Sequence, residues 1–159
     1  MPTYRAPTRD TRFVVNELLR LDSYGNLPGF ESADRETTDT VIDEAGRFIS
    51  EVIAPINHSG DQEGCTRHPD GSVTTPKGFK QAYDQFRESG WGTLAAPEQF
   101  GGQGMPHVLG MIVEEFLASA NQAFAMYPGL TGGATAAIRV KGSPEQQERY
   151  LPKMISGQW

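Results

Sequence analysis

The sequence is poor in features that would announce a chemistry. It has one cysteine, Cys65, so no disulfide can form within the chain. That fits a reducing compartment, and the cytoplasm is the expected location. It has no run of 18 or more apolar residues, so no membrane-spanning helix is expected. The opening MPTYRAPTRDTRF lacks the apolar core of a secretion signal. Basic residues are the minority, 14 against 20 acidic, for a net charge of −6. That balance disfavours a general binder of nucleic acid or of anionic membranes. Strand-like alternation between turn signals is missing too, and Val73 to Thr75 is too short to count as a strand. Internal repeats and heptad runs are absent. What remains is an ordinary globular composition, 37% hydrophobic and 21% charged over 159 residues, enough for one domain with its own core.

Helical periodicity fills most of that length. Residues 1–21 start polar and extended around Pro2 and Pro7, then give a stripe of Phe13, Val14, Leu18 and Leu21, with Thr11 or Asp10 as cap. Gly25, Pro28 and Gly29 make the next stretch a connector, so residues 1–30 read as an appended arm and 31–159 as the domain. From Ser32 to Ile53, the residues Val41, Ile42, Ala45, Phe48, Ile49, Val52 and Ile53 recur at three- and four-residue steps. Pro55 and Asn57 are expected to end that helix, and Asn57 to Thr75 to form a long polar loop. Thr75-Pro76 opens the next helix, whose buried stripe is Phe79, Ala82, Tyr83 and Phe86, with Gly90 just past its end. After the loop WGTLAAPEQFGGQG, Pro106 starts a helix facing inward through Leu109, Ile112, Val113, Phe116, Leu117 and Ala120.

Gln122 to Lys141 is apolar or small nearly all round, which predicts a central helix with the others packed around it. Last comes GSPEQQERYLPKMISGQW. Ser143 caps, Pro144 takes the first turn, Glu145 faces the helix dipole, Gln146 completes a capping box, and Gly157 stops the helix. The sum is an all-α, up-and-down bundle of about five or six helices with an N-terminal arm.

No reaction can be read from the residues themselves. His58, Asp61, Glu63, Cys65, His68 and Asp70 share one loop, but without paired metal-ligand spacing they read as a solvated surface. Glu114 and Glu115 have no His three residues on, and His107 stands alone, which removes a di-metal carboxylate bundle. Gly101-Gly102-Gln103-Gly104 follows no strand and matches no nucleotide loop. It reads as a tight turn ahead of a helix, with an anion at that helix start left open. Cys65 near His68 gives no sign of an activated thiol.

Three strings, in order and spacing, resemble the N-terminal α-domain of the acyl-CoA dehydrogenase family. They are WGTLAAPEQFGGQG, VEEFLASAN and GSPEQQERYLPKMISGQW, at residues 91–104, 113–121 and 142–159. The arm string YRAPTRDTRFVVNELL and the loop SGDQEGC are similar to the branch holding 3-methylmercaptopropionyl-CoA dehydrogenase-like enzymes. The resemblance implies an FAD flavoenzyme that introduces a trans double bond between Cα and Cβ of an acyl-CoA thioester. A carboxylate takes the α-proton, the β-hydrogen leaves as hydride to the flavin, and an electron-transferring flavoprotein reoxidises it. It also implies a homo-oligomer. In that family a β-domain and a second helical domain follow the point matched by Trp159 and carry the flavin contacts and the catalytic Glu. The chain is therefore expected to be inactive and cofactor-free by itself, with no catalytic residue of its own. The helix matched by Gln122 to Lys141 lines the deep end of the family's acyl pocket. That implies substrate contact at Met126, Gly129, Leu130 and Gly133, with helix-on-helix packing as the other reading. A stand-alone helical interaction module is the alternative function.

Overall fold

The apolar stripe after residue 32 becomes the spine of the domain. In the computed structural model, which describes residues 4–159, helix α2 spans Arg35–Phe48. Asp34 caps it, its carboxylate accepting from the Thr37 N–H at 2.8 Å and the Thr37 hydroxyl at 2.9 Å. Ile42, Ala45, Ile49 and Ile53 are fully buried along one side. The helix does not stop at Pro55 as expected. A π-helical turn, Ile49–Ile53, leads directly into helix α3, Pro55–Glu63. Proline has no N–H to give, and the π turn moves the hydrogen-bond register just ahead of it: Ala54 N–H bonds Ile49 O at 2.9 Å, five residues back. Pro55 then stands at the first position of α3, where a missing donor costs nothing.

The stretch expected to be loop thus begins as helix. It ends in a small hairpin, β1 Thr66–Arg67 against β2 Val73–Thr74, antiparallel, with Thr66 opposite Thr74. So Val73 and Thr74, two residues of the run set aside as too short, do pair. Gly71, at φ +84°, and the Asp70 carboxylate, accepting from the Ser72 N–H and hydroxyl, shape its turn.

Helix α4, Phe79–Glu88, buries Phe79, Ala82 and Phe86, and ends before Gly90 at φ +78°. It starts three residues after Pro76, because Gly78 at φ +91° breaks the helical path first. Helix α5, His107–Ala120, buries the six residues expected of it. Helix α6 is Gln122–Lys141 and helix α7 is Pro144–Ile155. The α7 capping box is complete: Ser143 Oγ accepts from Gln146 N–H, and Gln146 Oε1 accepts from Ser143 N–H at 2.9 Å. The all-α expectation holds apart from the hairpin.

Two expectations about packing fail. The first concerns α6, which is peripheral. Only Phe124 is buried, while Met126 is 52%, Leu130 71% and Val140 67% exposed. The main core lies instead among α2, the π turn, α4 and α5, with Phe116 and Phe124 deep within it. Neighbours α5 and α7 cover one side of α6, and among the described residues nothing covers the other.

The second concerns the first helix, α1, Thr8–Arg12, which starts after Pro7 without a side-chain cap. Thr11 Oγ1 donates back to Pro7 O instead. From Phe13 to Leu18 the chain is π-helical, with Leu19 N–H bonded to Val14 O, so the 3.6-residue period does not apply. Val15 and Leu21 point into the core, and Phe13, Val14 and Leu18 point out. The extended start expected at Pro2 lies outside the described residues.

The arm is seated on α2 by specific contacts. Arg12 pairs with Asp43, Asn16 Nδ2 donates to Asp39 Oδ1 at 2.7 Å, and Ala6 N–H donates to Ser50 Oγ at 3.2 Å. Gly46 makes the seat. A Cβ there would lie 2.5 Å from Thr8 Cγ2 and 3.1 Å from Ala6 Cβ.

Gly46→Val should therefore lower the unfolding free energy by about 1–3 kcal/mol through overpacking. It should also open Arg12 to trypsin. An unchanged denaturation midpoint would show that the arm does not need the notch. The Asp34 cap gives a pH-dependent expectation. Hydrogen bonds from Thr37 hold its carboxyl below the usual range. The folded chain therefore binds that proton more weakly than the unfolded one. The cap stabilises fully above the ordinary carboxylate range, and the benefit is lost as pH falls through the folded value. Thermal melts should show Asp34→Ala clearly below wild type at pH 7, with the gap closing towards pH 3.

Candidate functional site

The site candidate is a groove of about 400 Å³ with α5 as its floor. That is within the size range of small-molecule sites, about 300–1,000 Å³. One wall is the loop between Trp91 and Gly104, which folds back on itself. Gln103 N–H bonds Thr93 O at 3.0 Å, Gly104 N–H bonds Ala96 O at 2.9 Å, and Met105 N–H bonds Leu94 O at 3.0 Å. The Gln103 side chain donates to Gly90 O at 2.8 Å and to Thr93 Oγ1 at 3.0 Å. A Cβ on Gly102 would come within 2.0 Å of Ala96 O, so only glycine fits there. The glycine string is thus the clasp of a loop, as its reading as a tight turn anticipated. The clasp presses Ala95 against Gly110 of α5, where a Cβ would meet the Ala95 methyl at 3.0 Å.

The opposite wall is the inner face of α6. Ala125, Gly129, Gly132 and Ala136 line it at helical spacing, with Pro128 and Thr135 between. The helix continues through Pro128. A Cβ built on Gly129 or Gly132 meets no other atom within 4 Å. The rim carries the charged groups Arg87, Glu114 and Arg139, together with His107.

Of the four residues expected to touch substrate, Gly129 faces this groove. Met126, Leu130 and Gly133 do not line it, and all three are exposed. They form a separate outer stripe on the same helix. Gly132 and Ala136 were not singled out as candidates. The signal for them was present, since they follow Gly129 at three and seven residues, but an apolar helix gives no way to choose between its faces.

The polar loop residues are spent on local structure. Glu63 accepts from Lys77 N–H at 3.0 Å, and His68 Nε2 lies 2.7 Å from Thr74 Oγ1. Asp70 is held below the usual carboxylate range by the Ser72 hydroxyl and then the Ser72 N–H. Cys65 is exposed. Among the described residues, no three His, Cys, Asp or Glu side chains converge as a metal site would need. Glu114 and Glu115 are exposed on α5. Burial, and secondarily the charge of Glu115, raises the Tyr4 hydroxyl above its ordinary value. No helix among the described residues is long and apolar enough to cross a membrane.

Comparison with known proteins adds what the geometry alone does not say. Residues 35–158 match the family described as acyl-CoA dehydrogenase, N-terminal domain. The match begins at the first residue of α2, after the arm. The chain is 39% identical over 157 residues to 3-methylmercaptopropionyl-CoA dehydrogenase of Ruegeria pomeroyi, covering 99% of this chain and 26% of that protein. It is 32% identical over 164 residues to a butyryl-CoA dehydrogenase of Syntrophomonas wolfei, covering 98% and 26%. To the broad-specificity linear acyl-CoA dehydrogenase of Mycobacterium tuberculosis it is 29% identical over 160 residues, covering 100% and 26%. The chain spans about a quarter of the length of these relatives.

Proposed function

Because this chain belongs to the acyl-CoA dehydrogenase family, as its N-terminal helical domain, we propose that it serves the α,β-dehydrogenation of an acyl-CoA thioester within a longer protein. Its role there is to build one wall of the acyl pocket and to carry the packing of the other domains. The division of labour within the chain is an arm over residues 1–30 and the helical domain over 31–159.

The observation that carries this reading is the outer stripe of α6. Met126 and Leu130 hold large apolar side chains in water beside Gly129 and Gly133, whose surroundings are open. Leaving that much apolar surface wet is unfavourable unless something else covers it. A stripe of apolar side chains and gaps is half of an acyl pocket, and the opposing half belongs to the rest of the protein. Gly129 joins the stripe to the inner groove.

The described residues do not by themselves fit FAD. Trp91 Nε1 is the one buried, unpartnered polar atom they bring to the groove wall. A dinucleotide needs several donors for its pyrophosphate. We therefore assign FAD, which supplies the hydride acceptor when bound, to the remainder of the protein. The catalytic base, the contacts to an electron-transferring flavoprotein and the main homo-oligomer contacts are placed there as well. The cytoplasm is the compartment that suits the single exposed thiol.

The isolated chain should purify colourless and without dehydrogenase activity. Stoichiometric flavin absorbance would overturn the assignment of FAD to the other domains. In the full-length enzyme, Gly129→Leu and Gly133→Leu should each shift acyl preference towards shorter chains. A spread of kcat/KM over a thioester series that is unchanged in both variants would remove α6 from the pocket.

A further inference from the structure

Helices α6 and α7 form a hairpin beside the groove, with α6 against α5 and α7 against the Glu98–Phe100 turn, and among the described residues two side-chain hydrogen bonds tie it to the rest of the domain. At the base, Asn121 is 1% exposed and Phe124 is fully buried, the latter alone among the residues of α6. On the far side, Tyr83 Oη donates to Gly157 O at 3.1 Å. Leu151 and Ile155 of α7 are buried too, but outside the contiguous core cluster.

Asn121 is the whole connection between α5, which ends at Ala120, and α6, which starts at Gln122. With a single extended residue between two helices, their mutual angle is set there. Its side chain makes two hydrogen bonds. Oδ1 accepts from Phe124 N–H at 3.0 Å and caps α6. Since a backbone N–H must meet an oxygen, the other end is the amide nitrogen, and it donates to Ile53 O at 3.4 Å. That carbonyl is available because of the register change at Pro55: Asn57 N–H bonds Ala54 O at 3.2 Å instead.

We infer that Asn121 is the positioning residue of the α6–α7 hairpin, its tie to Ile53 O fixing the tilt of α6 and so the width of the groove. The geometric part stands on the hydrogen bonds and the one-residue connection. The consequence for substrate rests on the acyl-wall reading of α6. Helix α6 has 20 residues and is about 30 Å long, so a tilt of about 10° at its base moves the far end by about 5 Å.

Spin labels at Met111→Cys and Val140→Cys, both exposed positions, in a Cys65→Ser chain report that distance directly. Asn121→Ser keeps a capping oxygen but cannot reach Ile53. It should shift the distance by about 5 Å, or broaden it by as much, with helix content unchanged. Asn121→Asp keeps the side-chain shape and the capping oxygen but has no N–H to give Ile53 O. It should give the same shift, and it decides the matter if Asn121→Ser does not fold. A distance unchanged from wild type in the folded variants overturns the inference. In the full-length enzyme, Asn121→Ser should also change the kcat/KM ratio between long and short thioesters. A moved helix with an unmoved ratio upholds the positioning role and sinks the acyl-wall reading instead.

Discussion

Much of this domain depends on a hydrogen bond that one residue cannot make. Pro55 has no N–H, yet the rod from Arg35 to Glu63 must pass through it to bury Ile42, Ile49 and Ile53 on one side and to carry Gly60 against the Phe79 ring. The chain resolves this with a π turn, which spends one extra residue to realign the ladder. The realignment leaves a carbonyl at Ile53, Asn121 takes it, and α6 starts from there. A local backbone constraint in the middle of one helix thus reaches the base of another, 68 residues further along the chain.

Glycine has two different uses here. Gly46, Gly60 and Gly102 are contact points where a methyl group would collide with a neighbour, and they bring the arm, α4 and the Trp91–Gly104 loop to their places. Gly129, Gly132 and Gly133 are the reverse, since a methyl group on them would touch nothing within 4 Å. The first set is explained by this chain's own packing. The second set lies on the helix that carries the uncovered apolar stripe, in a chain that spans about a quarter of the relatives compared above.

What was legible in the sequence was local. The inward face of α5, the stripe of α4 and the Ser143–Gln146 capping box follow from spacing and side-chain chemistry within a turn or two, and they appear as read except that Tyr83 of the α4 stripe is half-buried. The arm misled because π-helical hydrogen bonding has no distinctive residue pattern, and one extra residue per turn rotates Phe13 and Val14 outward. The start of α3 misled because a proline after an apolar run marks an end in most helices, and here it marks a beginning. Helix α6 misled for a different reason. An all-apolar helix says only that something must cover it, and it cannot say whether that cover lies in the same stretch of chain. The site was less legible than the fold: of the four candidate residues only Gly129 lines the groove, and spacing along an all-apolar helix could not separate the groove's small residues from the outer stripe.

The bond from Tyr83 to Gly157 joins residues 74 apart. It closes the last loop of the domain, where a Cβ on Gly157 would lie 3.1 Å from Tyr83 Oη and 3.2 Å from Arg87 Cγ. Tyr83 also lies among the aromatic rings of Phe86 and Phe124. During synthesis, then, α4 can form early but its outer edge stays open until residue 157 has left the ribosome. The domain cannot be sealed from its N-terminus forward.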